Sequence, residues 1–154
     1  MLPTHTAFAA GYSFAIYDTL FVQLWHATAT LEGVRQMKRL ISEAPKFDAM
    51  LVIVDDFTAM PSDGVREEIV RISRALGSVF SIVIYDGTGF KAAALRALIT
   101  GILAVAGKRS MMGVFTSLAE AHEWAVRQGR RLPDIRALEA MVAELRERPK
   151  VRVA

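Results

Sequence analysis

Two apolar runs, Met50–Val54 and Val79–Tyr85, constrain this chain more than any other feature of it. A strand with one face in water alternates apolar and polar residues. A run that does not alternate has to be covered on both faces, the condition of an inner strand in a parallel sheet flanked by helices. Met50–Val54 is therefore predicted to be a central strand, with Val79–Tyr85 beside it.

The segments around these runs follow the same logic. Phe14–Tyr17 and Leu20–His26 flank the turn-forming pair Asp18-Thr19 and read as an opening antiparallel hairpin. From Leu31 the spacing becomes helical through Val34, Met37, Leu40 and Ile41, with Thr30 as N-cap and Pro45 past the end. Ser62 caps a second helix, in which Val65, Ile69, Ile72 and Leu76 form one stripe and Gly77 is the stop. A turn at Asp86–Gly89 leads into a long apolar helix from Phe90 to Ala106, and Met111–Phe115 gives a last short strand.

Ser117 and Glu120 make a capping box that opens a helix ending near Gly129. A final helix over Asp134–Arg146 puts Ile135, Leu138, Val142 and Leu145 on one face. The expectation is an α/β fold: a mixed, mainly parallel central sheet of about five strands in the order β-β-α-β-α-β-α-β-α, with an extra C-terminal helix. Residues 1–154 read as one domain, its core at about 12–129 and a peripheral helical extension at about 132–148.

Composition agrees with a packed core, since 53% of residues are hydrophobic and 23% charged. The net charge of +3 is scattered in pairs such as Lys108-Arg109 and Arg130-Arg131, so no basic stripe points to nucleic acid. With no cysteine, disulfides and thiolate chemistry are excluded and a cytoplasmic location is expected. The N-terminus lacks the basic region of a signal peptide. The apolar stretch Ala97–Ala106, broken by Thr100 and Gly101, is shorter than the roughly 20 residues a membrane span needs.

Several local phrases carry a resemblance. The strand ending at Asp55, the helix start Pro61-Ser62-Asp63-Gly64, Leu95–Leu98, and Val114–Ala121 followed by Trp124 resemble the STAS-like fold of sulfate-transporter and anti-sigma-factor-antagonist domains. The likeness is to its SpoIIAA-like branch, which is grouped with CRAL-TRIO lipid-binding proteins, and it runs from Tyr12 to Val126. It implies a regulatory or ligand-binding module without catalytic chemistry. In the antagonists an Asp-Ser-Ser-Gly turn carries a phosphorylated serine. The matching turn here has Asp63 at that position, beside Ser62 and Gly64, which takes the phosphoacceptor hydroxyl away from it.

Catalytic constellations are sparse. His5, His26 and His122 are far apart and show no metal-ligand spacing, so neither a metal nor a cofactor is expected. His26 ends a strand and is a candidate pocket residue, although bonding to backbone or water is the plainer reading. Asp55, Asp56 and Asp86 close neighbouring strands and are the best enzyme-like cluster, able in principle to hold Mg²⁺, while acidic residues also start turns. Gly87-Thr88-Gly89 precedes a helix as a dinucleotide-binding turn does, but no acidic residue closes the next strand, which favours a tight turn. An enzyme using these carboxylates or His26 is thus the least favoured of three functions.

The helix carrying Leu95, Leu98, Ile99, Ile102 and Leu103 is apolar nearly all round. Its surface has to meet a second copy in a two-fold dimer, an apolar ligand, or the last helix. The leading functional expectation is a non-enzymatic module that binds a regulatory protein partner. The alternative is a carrier or sensor of a small apolar molecule such as a lipid.

Overall fold

In the computed structural model the apolar runs line up as one six-stranded sheet whose order follows the chain, β1-β2-β3-β4-β5-β6. The structure describes residues 5–9, 12–26, 28–43, 46–55, 61–77, 79–85, 87–107 and 112–147, the side chains of 5–9 and 103 excepted. The elements are β1 (His5–Ala9), β2 (Tyr12–Tyr17), β3 (Leu20–Trp25), α1 (Leu31–Glu43), β4 (Ala49–Val54), α2 (Asp63–Ala75), β5 (Phe80–Tyr85), α3 (Gly89–Val105), β6 (Met112–Phe115), α4 (Leu118–Arg127) and α5 (Ile135–Glu147).

β1, β2 and β3 form an antiparallel meander, and β3 to β6 run parallel. Asp18 turns the chain between β2 and β3 with φ 56°, a left-handed conformation that a short polar side chain tolerates. β4 lies between β3 and β5, as its unalternating sequence requires. β1 adds a strand to the expected set. Its sequence, His-Thr-Ala-Phe-Ala, has no β-branched run of its own, and it becomes a strand through the ladder from His5↔Ile16 to Ala9↔Tyr12. Pairing partners, more than intrinsic preference, decide such an edge.

Because β3 to β6 advance one neighbour at a time in one direction, their three crossover helices fall on the same face. Val34, Met37 and Leu40 of α1 and Val65 and Ile72 of α2 pack there on Phe14, Phe21 and Met50, and Ala92 and Leu95 of α3 pack on Val83 and Tyr85. The opposite face presents Ala15, Tyr17, Leu20, Val22, Leu51 and Ile82 to α4 and α5.

That second face corrects the reading of the last helix as peripheral. Leu138, Met141 and Leu145 are 2%, 3% and 1% exposed and belong to the same cluster as the inner strands. The Tyr17 hydroxyl donates to Glu144 Oε2 at 3.3 Å, and Arg146 Nη1 meets Asp55 Oδ1 at 2.8 Å. An amphipathic stripe announces that a face is buried without saying against what, and here it is buried against β2 and β3. α5 and α3 therefore lie on opposite faces, so the last helix does not cover α3. Among the described residues no helix is long and apolar enough to cross a membrane.

Candidate functional site

The face under α1, α2 and α3 does not close completely. A cavity of about 130 Å³ remains between the sheet and the three helices. Its floor includes Gln23 and Trp25 of β3, Met50, Val52 and Val54 of β4, and Val83 of β5. Over it stand Met37 and Ile41 of α1, Ile69, Ile72 and Ser73 of α2, and Leu95, Leu98, Ile99 and Ile102 of α3.

Among the described lining residues, apart from Ser73, the polarity comes from Gln23 and Trp25 in the second half of β3. Gln23 is 2% exposed. Its Oε1 accepts from the indole Nε1 of Trp25 at 2.8 Å, and its Nε2 donates to Met50 Sδ at 2.8 Å. Among the described residues no Asp, Glu, Lys, Arg or His lines the space, which suits a neutral molecule.

The surroundings hold this geometry. Tyr12 stands edge-on to Trp25 with ring centroids 4.4 Å apart. Its hydroxyl donates to Thr28 O at 3.0 Å and accepts from Thr30 N at 2.7 Å, which fixes the start of α1. Burial pushes the Tyr12 phenol above its ordinary pKa. On the outer side, Glu68 of α2 accepts from Arg71 Nη1 at 2.6 Å and from Lys38 Nζ of α1 at 3.4 Å. The Arg71 hydrogen bond, aided by Lys38, holds the Glu68 carboxyl below the usual range, and the Lys38 contact ties α1 to α2.

The residues singled out in the sequence are not all brought together. His26 sits half-buried just beyond β3 and is not part of the cavity wall. Asp55 is engaged by Arg146, and its backbone N–H donates to Trp25 O at 2.9 Å. Asp56 and Asp86 lie outside the described residues. Among the described residues no group of three His, Cys, Asp or Glu side chains is arranged to hold a metal ion. Gly89, with φ 88°, begins α3, and Arg96 Nη1 donates to Gly87 O at 2.8 Å, so the glycine turn is tethered from within the helix that follows it.

Ser62 is the N-cap of α2, with φ −66° and ψ 164° and its Oγ accepting from Val65 N at 3.4 Å. Asp63 pairs with Arg66, and Gly64 is exposed with open space around it. Replacing Ser62 with alanine is expected to cost about 1 kcal/mol. Urea denaturation would show it as a lower midpoint at unchanged slope. An unaltered midpoint would mean that the cap contributes nothing.

Leu95 is 4% exposed and points inward, while Leu98, Ile99 and Ile102 are half-buried along the cavity. These residues, expected at a self-association or apolar-ligand surface, line the cavity, and the Leu103 side chain lies outside the described set. The exposed residues of α3 include Phe90 and Val105 at its ends, with Lys91, Ala93, Ala97, Thr100 and Gly101 between them. Gln23 and Ser73 were not foreseen as site residues. The available signal was a lone glutamine inside the otherwise apolar Leu20–Trp25 run.

Comparison with protein-family models, with curated proteins and with solved structures finds no match to this chain.

Proposed function

We propose that this protein binds a small, neutral, mainly apolar molecule between its sheet and α1, α2 and α3, as a carrier or sensor and not as an enzyme. The observation that carries this reading is the apolar cavity with a single buried carboxamide in its floor. Size sets the ligand class. An engineered protein cavity of about 150 Å³ accepts benzene, whereas drug-sized ligands occupy about 300–1,000 Å³. At about 130 Å³ the space suits a single ring or a short branched chain.

The STAS-like resemblance supports a binding module in general, and its CRAL-TRIO grouping supports an apolar ligand. A second reading, a regulatory module with a protein partner or a second copy of this chain, draws on Phe90 and Val105, which are 92% and 63% exposed at the two ends of α3. The two readings share one helix, because α3 lines the cavity on its inner side. A cytoplasmic site of action belongs to the proposal.

Thermal melts in the presence of toluene test the cavity. Ligand at 100 times its Kd adds about 2.7 kcal/mol to stability. For a chain of this size that corresponds to a rise in Tm of about 5–10 °C. Ile69→Phe, which pushes a larger ring into the space, should remove the rise while the protein stays folded. A melt that toluene leaves unchanged would refute the reading.

A further inference from the structure

We infer that Gln23 selects the ligand, and that the molecule bound is a neutral single-ring or similarly small compound carrying one hydrogen-bonding group, of the phenol, alcohol or ketone class. The inference rests on the cavity being a ligand site. A carboxamide has two N–H donors and an oxygen with two lone pairs. At Gln23 one lone pair is taken by the Trp25 indole and one N–H by the Met50 thioether, a weak acceptor. One N–H and one lone pair are left over in a group that is 2% exposed.

An apolar residue at this position in β3 would complete the floor without that burden, since a buried polar group with unmet hydrogen bonds costs free energy. A ligand hydroxyl or carbonyl removes the cost. Among the described residues no charged side chain lines the space, so a carboxylate or ammonium beside Gln23 would lack a partner there, which favours a neutral ligand. The indole gives the carboxamide its direction: with Oε1 held by Trp25, the orientation of Nε2 is fixed as well.

Phenol and toluene separate shape from hydrogen bonding, because they differ by a hydroxyl in place of a methyl. Calorimetric titration would give their Kd values for the wild type, for Gln23→Leu and for Gln23→Leu/Trp25→Phe. The double variant removes the indole N–H together with its acceptor and so stands in should the single variant misfold. The ratio of toluene Kd to phenol Kd is expected to fall about tenfold in the variants, the size of one lost buried hydrogen bond. Comparing ratios cancels the different hydration of the two ligands. If both bind and the ratio is the same in all three proteins, Gln23 does not read the ligand, while the cavity remains a ligand site. If neither binds the wild type, the ligand site itself falls, and this inference with it.

Discussion

Gly33→Ala is expected to destabilise the protein by about 3 kcal/mol or more, at the upper end of what overpacking costs. Helix preference alone predicts the opposite sign, since alanine in a helix interior is better than glycine by about 1 kcal/mol. Contact decides. A Cβ at position 33 would come within 2.2 Å of Tyr12 Cε2 and 2.9 Å of Cζ. The ring has little room to move aside, being 1% exposed, hydrogen-bonded at its hydroxyl to Thr28 and Thr30, and set against Trp25. Chemical denaturation measures the loss. In a Tyr12→Ala background, where the ring is gone, Gly33→Ala should cost much less than it does in the wild type. An alanine variant as stable as the wild type would show that α1 does not rest on Tyr12 as described.

The second large effect concerns α5. Leu138→Ala and Leu145→Ala are each expected to cost about 2–5 kcal/mol, as for leucines in a packed core. A helix lying loosely on the surface would give changes of about 0.5 kcal/mol. The wild-type side chains are 2% and 1% exposed and contact the inner strands, so the core value applies. By contrast, Arg146→Ala should change stability by less than about 1 kcal/mol, because the Arg146–Asp55 pair keeps side-chain exposures of 45% and 17%. Urea midpoints of the three variants provide the comparison. Leucine substitutions as mild as the arginine one would return α5 to the role of an appendage.

The sequence disclosed most where one residue's chemistry suffices. Unalternating strands, the Ser62 and Ser117 caps and the helical stripes all depend on neighbours within a few positions, and each of these elements is present. What escaped depends on distant partners. β1 exists because β2 offers it an edge. Asp55 is paired with Arg146, which comes from another part of the chain, a contact that spacing does not show. The all-round apolarity of α3 left a second copy, an apolar ligand and the last helix open as its cover, and periodicity alone does not show that several of those side chains line an internal space. Gly33, an unobtrusive glycine within α1, marks a close approach to Tyr12 that only the packed structure displays.

The chain-order arrangement of the sheet has a consequence for how the protein emerges during synthesis. Each strand finds its neighbour already made, so β1 through β6 can be added in succession with short loop closures. The exception is α5, which returns to β2 and β3, and Tyr17 waits for Glu144. Until that helix has left the ribosome, the apolar face of the first hairpin, with Ala15, Tyr17, Leu20 and Val22, stays without its cover. Association of the nascent chain through this face is therefore expected to be easier before α5 docks than after it.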